Sequence, residues 1–430
     1  MIRSRALIVG LLALAVPGCS NKPERSAVTV EVWSGWTGAE GASFQKLCDA
    51  FNKSHPGILV KNLGGVTDNA KIVRAITAGV PPDAFTIWSS PDCGPLAAYG
   101  AVRNVDPYFR ASGLNESDFV PGALPLCKYN GHFIGLPLLL DTTALMWNKQ
   151  AFRDAGLDPE RPPRTLQELR QYAVRLTKFD RHGEIVRLGL MLPDTTLLCN
   201  LHGGDFVDPK TGAITANMPE NVRALDYYRS LVEAMGGRGR VDAFGTGYGE
   251  TQGPNNPFFV GKTAMMLSGE WIPSWIEKYA PKLEYGVAPV PYDTRRPDRK
   301  GTTSVSVNLL AIPSEAKHPK EAWEFLRWLQ TPYAQTEFSE ALNNVPNIRA
   351  VLTRPELTEG SPRRRNFGRF CRIAQNPNAR GFPITPVGQI YQDELAHATE
   401  YVLFGVKSPQ RALDDVQTKV SRELAKRMKQ

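Results

Sequence analysis

Val28-Thr29-Val30-Glu31-Val32-Trp33 alternates outward and inward positions and is rich in β-branched residues, which predicts a β-strand. A glycine-rich turn over residues 34–38 follows, and apolar side chains between residues 44 and 51 then recur at helical spacing. Residues 58–63 are again β-branched and predict a second strand. A strand–helix–strand unit of this length favours two parallel strands joined by a helix.

The alternation of strands and helices continues along the chain. Helical spacing predicts helices over Leu166–Thr177 and Val222–Met235, and Leu188–Leu192 between them reads as a strand. This pattern indicates an α/β fold with mainly parallel sheets. Since 430 residues exceed what one hydrophobic core usually serves, two lobes are expected.

The first residues predict export. Arg3 and Arg5 precede the apolar run Ala6–Val16, which has the length of a signal-peptide core and is too short for a bilayer of roughly 30 Å. A small residue followed by Cys19 resembles the lipobox of bacterial lipoproteins. That resemblance predicts a signal peptide over residues 1–18, lipidation of Cys19, and anchoring at the periplasm or cell exterior; which membrane carries the anchor is left open. An ordinary secretion signal is the alternative.

The charge of the chain argues against nucleic-acid binding. The formal charge of +8 falls to +6 when Arg3 and Arg5 leave with the signal peptide, which is mild for this length. The densest basic stretch, Arg363–Arg365 with Arg369 and Arg372 beyond it, lies in a region rich in Pro, Gly and Asn. We expect it to be a solvated loop.

The cysteines and histidines show no metal or redox motif. Cys48 falls on the apolar side of the first predicted helix and is expected in the core. An oxidising compartment makes a Cys93–Cys127 disulfide conceivable, but the sequence does not decide it. No C-x-x-C or H-E-x-x-H spacing occurs, so neither a metal nor a cofactor is expected.

An ordered series of short motifs resembles the extracellular solute-binding proteins of carbohydrate ABC importers, the group that includes maltose-binding protein. Each motif alone is weak, but together they span nearly the whole mature chain. The motifs are Trp33–Trp36, Phe51–Ile58, Ala78–Asp83, Tyr129–Pro137, Leu145–Phe152, Arg164–Leu169, Phe259–Trp271, Tyr285–Pro291 and Ala322–Leu329.

The resemblance implies a two-lobed binding-protein fold in which strands cross between the lobes. Residues 19–27 would be a lipid-anchored tether. The crossings are expected near Leu139–Thr142, Pro291–Arg295 and Thr331–Tyr333. It further implies a monomer that delivers sugar to the permease subunits of an ABC importer. The implied lobes are residues 28–139 plus 296–331, and residues 140–295 plus 332–430.

A sugar offers C–H faces that stack on aromatic rings and hydroxyls that need polar partners. Trp271 closes a Gly-Glu-Trp turn that carries a stacking aromatic in the family, although it could also be buried at a helix start. Trp36 is expected either to meet it from the other lobe or to pack in the core. Trp88 ends the third predicted strand, Ala84–Trp88.

Several polar residues complete the predicted site. Asp92 is expected to accept sugar hydroxyls by similarity, or else to cap a helix. Asp141 follows three leucines at a proposed crossing, where a charge is costly unless it is paired or faces the cleft. Asp194 and Asn200 follow the strand Leu188–Leu192 and are candidates at the same cleft edge.

Two alternatives stay open. An exported glycosidase would use paired carboxylates such as Asp92 and Asp141, which look the same in sequence as hydroxyl-binding carboxylates. A binding protein for an anionic ligand, such as a glycerol phosphate or a uronate oligosaccharide, would suit the positive charge and Arg349 or Arg380. No nucleophile elbow occurs, and the primary expectation is binding without catalysis.

Overall fold

The computed structural model describes residues 27–88, 90–248 and 253–429. Cys19, the predicted signal peptide and residues 19–26 of the predicted tether lie outside these residues. In the described ranges, no helix combines the length and apolar character needed to cross a membrane.

Thirteen strands form within these ranges, and each parallel pair comes from the strand–helix alternation that the sequence shows. The first two predicted strands occur with the predicted bounds. The strands are β1 Val28–Trp33, β2 Ile58–Leu63, β3 Ala84–Ile87, β4 Lys128–Tyr129, β5 His132–Phe133, β6 Leu136–Asn148, β7 Lys178–Phe179, β8 Ile185–Leu190, β9 Thr263–Gly269, β10 Tyr285–Ala288, β11 Thr303–Ala311, β12 Val345–Pro346 and β13 Ala379–Arg380.

The same ranges contain sixteen α-helices, most of which bury one apolar face. The helices are α1 Gly38–Ser54, α2 Asn69–Thr77, α3 Ser90–Ala98, α4 Asp106–Ala111, α5 Lys149–Asp154, α6 Leu166–Leu176, α7 Thr195–Leu201, α8 Pro219–Ala234, α9 Arg238–Thr246, α10 Ile272–Tyr279, α11 Pro319–Trp328, α12 Pro332–Leu342, α13 Pro355–Thr358, α14 Pro362–Ala374, α15 Gly388–Leu403 and α16 Pro409–Arg427.

One sheet runs through both lobes in the order β2-β1-β3-β11-β6-β9-β8-β7. Strands β1, β2 and β3 are parallel at one end, and β8 and β9 are parallel at the other. The central pairs β3–β11, β11–β6 and β6–β9 are antiparallel. The α/β two-lobed fold is therefore confirmed. Instead of two mainly parallel sheets, the strands form one mixed sheet. The two halves are joined because the 13-residue strand β6 belongs to both.

The apolar side chains form two cores. The first is built around β1, β3 and α1 and also includes Phe338 of α12 and Phe370 of α14. The second contains α6, α7 and α8 together with α15 and α16, with Tyr391 at its centre. The expected lobe boundaries remain a prediction. They assign Phe338 to the second lobe, whereas its ring lies 5.7 Å from that of Phe44 on α1, in the first core.

The first half of β6 is held by two buried amides, one in α12 and one in the segment that follows it. Asn347 donates from Nδ2 to the carbonyl oxygens of Pro137 and Leu138, both at 2.8 Å. Gln335 donates to the carbonyl of Leu138 at 2.8 Å and accepts from the backbone N–H of Asn347 at 3.0 Å. These bonds satisfy carbonyls that the neighbouring strands leave free, and they fix the crossing strand in one register.

The arginine-rich stretch that was expected to be a loop is helical, so that prediction was wrong. Ser361 caps α14 by accepting from the backbone N–H of Arg364 at 3.2 Å, and Pro362 occupies its first turn. Phe367 and Phe370 are buried at helical spacing beneath the arginines. The apolar face of the helix therefore outweighed the local Pro, Gly and Asn content.

The buried cysteines behave as core residues in the described structure. Cys48, Cys93, Cys127, Cys199 and Cys371 are all buried, and none of them forms a disulfide within the described ranges. Cys48 lies on the buried face of α1, as its spacing predicts. Burial raises the pKa of the Cys127 thiol well above its usual value, and the proximity of Cys93 raises it further. In this structure Cys93 and Cys127 are near each other and are not bonded.

We expect Gly189→Ala to lower the free energy of unfolding by about 1–3 kcal/mol through overpacking. A Cβ at residue 189 of β8 would come within 1.8 Å of the carbonyl oxygen of Ala173 on α6. Urea unfolding followed by circular dichroism measures the change. Gly239→Ala in α9 is the control, because a Cβ there meets nothing within 4 Å. Equal stability of both variants would contradict this packing.

Candidate functional site

The carboxyl ends of the parallel strands from both lobes converge on the middle of β6. Ile87 at the end of β3 lies opposite Leu309 of β11. Ser306, three residues earlier in β11, lies opposite Asp141 of β6. From the other side, Gly269 at the end of β9 lies opposite Thr143. Ligands of open α/β sheets bind at such strand ends. Residues 141–143 of β6 are therefore the centre of the candidate site.

Asp141 is held by two hydrogen bonds at this centre. Ser306 donates from Oγ to Asp141 Oδ2 at 2.9 Å, and Asn344 donates from Nδ2 to Oδ1. Burial raises the pKa of the Asp141 carboxyl, and the bonds from its neighbours lower it again in part. The carboxylate is partly exposed, so it has the partners and the solvent access expected of a ligand group.

Glu270 lies beside Asp141, and the sequence analysis did not identify it as a site residue. It is fully buried, and its carboxyl accepts from the backbone N–H of Thr142 and from Asn344 Nδ2, both at 2.8 Å. Burial and the neighbouring charge of Asp141 raise the pKa of Glu270 well above its usual value. The available signal was an acidic residue directly after the buried strand β9.

Trp271 follows Glu270 and immediately precedes α10. Its ring is partly exposed and lies against the end of β9, because a Cβ at Gly269 would come within 1.9 Å of the ring. Only glycine at residue 269 allows this close approach. A partly exposed ring held against Gly269, which lies opposite Thr143 of β6, has the geometry of a stacking platform, and its contact with a ligand stays a prediction.

The two predicted site tryptophans of the first lobe, Trp36 and Trp88, differ in exposure. Trp36 is 2% exposed, and its ring centroid lies 4.9 Å from Phe44 and 5.0 Å from Phe338. Trp88 is 36% exposed and lies 5.2 Å from Trp36 in an edge contact. In this conformation Trp36 packs in the core, which is the alternative left open above, and Trp88 offers the accessible ring.

The three remaining predicted residues, Asp194, Asn200 and Asp92, lie on or next to helices α7 and α3. Asp194 caps α7, accepting from the backbone N–H of Leu197 at 2.8 Å, and its side chain is open to solvent. Asn200 is buried on the same helix. Asp92 lies partly buried in the first turn of α3. None of these three is joined to Asp141 by a hydrogen bond in the described structure.

Helix α3 meets the second core directly. A Cβ at Gly94 would come within 1.8 Å of the carbonyl oxygen of Thr385, which precedes α15. A Cβ at Gly388 would come within 2.7 Å of Pro91. Two glycines, one from each side, therefore allow the backbones of the lobes to touch here.

A groove of about 890 Å³ lies between the two cores. Its walls are residues 121–131 from one side and residues 205–213 and 377–386 from the other, with Asn200 at its edge. This volume falls within the usual range for small-molecule sites, about 300–1,000 Å³. A disaccharide or trisaccharide could be accommodated in it.

Basic side chains mark one wall of the groove. Arg380 lies 3.4 Å from Asp205. Burial lowers the pKa of the nearby Arg299 guanidinium, and the positive charge of Arg380 lowers it further. By contrast, Arg349 donates from Nε to the carbonyl of Phe119 at 2.9 Å and supports the backbone. Of the two arginines considered for an anionic ligand, only Arg380 lines the groove.

Comparison with known proteins identifies the family. A family model described as bacterial extracellular solute-binding protein matches residues 35–336. The chain belongs to this family. It is 27% identical over 425 residues to the sn-glycerol-3-phosphate-binding periplasmic protein UgpB of Pectobacterium atrosepticum, covering 91% of this chain and 90% of that one. UgpB of Salmonella typhimurium is also 27% identical, with 96% of both chains covered.

Solved structures show the same fold. The protein CpMnBP1 with mannotriose bound is 28% identical, with a TM-score of 0.76 that covers 91% of this chain and 100% of that one. The sugar-binding protein MalE from Xanthomonas citri is 21% identical, with a TM-score of 0.76 over 93% of this chain and 98% of that one. At that identity, the second likeness concerns the fold alone.

We expect Trp36→Ala to lower the free energy of unfolding by about 3–5 kcal/mol, because it removes a fully buried ring. Trp88→Ala, at 36% exposure, should cost clearly less. Thermal or urea unfolding of the two variants checks this difference. Equal losses would mean that Trp88 is a core residue like Trp36 and would remove it from the candidate site.

Proposed function

We propose that this protein captures a carbohydrate outside the cytoplasmic membrane and delivers it to an ABC importer. The observation that carries the proposal is the convergence of strand ends from both lobes on residues 141–143 of β6, with the partly exposed ring of Trp271 held against Gly269 opposite Thr143. A carboxylate that accepts hydroxyl hydrogen bonds and an aromatic face for C–H groups are the two requirements of a sugar site. The mannotriose bound to CpMnBP1 supports this ligand class.

In this function the protein performs no chemistry. Ligand contacts to both lobes stabilise a closed arrangement relative to an open one, and the permease subunits recognise the closed form. Each good hydrogen bond or stacking contact contributes roughly 1 kcal/mol. The affinity is therefore distributed over several groups. The proposal also takes the protein to be a monomer.

An anionic ligand is the second candidate, and a specific observation favours it. Arg380 lines the groove and Arg299 lies close to it, while the UgpB relatives are named for sn-glycerol-3-phosphate. Asp205 neutralises part of this positive charge at 3.4 Å from Arg380. A phosphate or carboxylate would compete with Asp205 for the guanidinium.

A thermal-shift screen of residues 22–430 tests both candidates. The panel contains mono-, di- and oligosaccharides, sugar acids and glycerol phosphates, and every ligand that stabilises the protein is then incubated and re-isolated. We expect a neutral saccharide to raise the melting temperature and to be recovered unchanged. Stabilisation by the anions alone would favour the second candidate. Consumption of the ligand would instead indicate an enzyme, with Asp92 and Asp141 as catalytic suspects.

Trp271→Ala connects the screen to the site. It should weaken the affinity for the saccharide found in the screen roughly tenfold, measured by titration calorimetry, with folding intact. Phe404→Ala is the matched control, because Phe404 is an aromatic residue 55% exposed on α15's C-terminal end. If Trp271→Ala unfolds the protein or leaves the affinity unchanged, the stacking role is wrong.

Membrane anchoring through Cys19 is a separate part of the proposal. Cys19→Ala should move the exported protein from the membrane fraction to the soluble fraction, since no acyl chain can then be attached. Fractionation of cells and mass spectrometry of the amino-terminal peptide measure the change. Ser20→Ala is the control and should stay with the membrane. An unmodified Cys19 in the mature protein would refute the lipoprotein assignment.

A further inference from the structure

Two carboxyl groups meet at the centre of the site with no cation between them. The carboxyl groups of Glu270 and Asp141 are neighbours, because one Asn344 amide nitrogen donates to both. Asp141 is partly exposed, whereas Glu270 is fully buried. In the described part of the chain, the groups that act on these two carboxyls include no Lys, Arg or His.

The surroundings of the pair are neutral on every side. Strand β6 contributes the backbone N–H of Thr142, and β11 contributes the hydroxyl of Ser306. Helix α14 contributes the buried thiol of Cys371, which lies near Glu270. Asn343, on the connection after α12, donates to the backbone carbonyl of Glu270.

The basic side chain that contacts Asn343 forms its ion pair with a carboxylate outside the Asp141–Glu270 pair. Arg363 of α14 donates to Asn343 Oδ1 at 2.8 Å and pairs with Glu277 at 3.0 Å. Asn343 links this arginine to the backbone carbonyl of Glu270, not to its carboxyl group. The carboxyl pair therefore has hydrogen-bond donors on all four oxygens and no ion pair of its own.

Two adjacent negative charges in such surroundings would be expensive. Each would lose hydration, and they would repel each other, so one proton must remain between them. Full burial places that proton on Glu270, and the more exposed Asp141 keeps the charge. A neutral Glu270 can donate its proton to Asp141 while its oxygens accept from Thr142 and Asn344.

We propose that Glu270 holds a proton in the folded protein and acts as a positioning residue for Asp141. It donates to Asp141, aligns Asn344 through the same oxygen atoms, and keeps the Asp141 carboxylate directed as an acceptor. The role for ligand rests on the proposed function, whereas the proton on Glu270 does not.

The proton on Glu270 makes the free energy of unfolding fall as the pH rises. Because folding raises the pKa of Glu270 above its ordinary value of 4.5, the stabilisation is fully present below pH 4.5. It is lost as the pH rises towards the raised pKa of the folded protein, because the unfolded chain has already released its proton. Glu270→Gln cannot ionise, keeps an N–H donor for Asp141, and should lack this loss.

The test compares the full exported chain with its Glu270→Gln variant, without ligand. Urea unfolding is measured at a series of pH values above 4.5. The folding equilibrium constant of the wild type, divided by that of the variant, should fall about tenfold per pH unit until Glu270 ionises. A constant ratio across the series would overturn the proposal.

Infrared difference spectroscopy tests the same proton directly in the wild type, so the proposal stays testable if the variant folds poorly. We expect the carbonyl band of one protonated carboxylic acid at neutral pH, absent from Glu270→Gln. Asp141→Asn removes the neighbouring charge and should make Glu270 ionise at lower pH. Absence of the band would overturn the proposal, and neither measurement depends on a sugar being the ligand.

Discussion

The structure depends on one strand that both lobes share. β6 is 13 residues long, longer than its neighbours β11 with nine residues and β9 with seven, and its partners change along its course. It pairs with β11 up to Thr142 and with β9 from Thr143 onwards. A backbone that must satisfy its hydrogen bonds on both sides of the junction leaves little freedom in register. The two sheets are therefore joined through one strand whose register is defined on both sides of this point.

The polar groups at the junction follow from this constraint. A strand that leaves one hydrophobic core and enters another passes through a short region where neither core covers it. Asn347, Gln335 and Asn344 supply hydrogen bonds there, and Asp141 stays partly exposed. Buried polar networks of this kind specify one arrangement when every member is satisfied. The same network that holds the strand thus also holds the partly exposed carboxylate of Asp141.

Much of the fold could be predicted from local patterns. The strand–helix rhythm placed β1, β2 and α6 nearly correctly, and the helical spacing placed Cys48 in the core. The pairing of Asp141 could also be predicted, because a carboxylate after three leucines must be paired or exposed. These features depend on residues that are close in sequence.

Long-range contacts explain what the sequence did not reveal. Trp36 is covered by Phe338, three hundred residues further on, so its burial leaves no local trace. Glu270 meets Asp141 only because β9 and β6 are neighbours in the sheet. The arginines of α14 sit on a helix whose apolar face is defined by contacts with distant strands. Gly94 against Thr385 adds a further consequence: a single methyl group at residue 94 would act as a wedge that separates the two lobes. Any residue larger than glycine at this position would therefore push the two backbones apart at this contact, without altering the groups that hold Asp141.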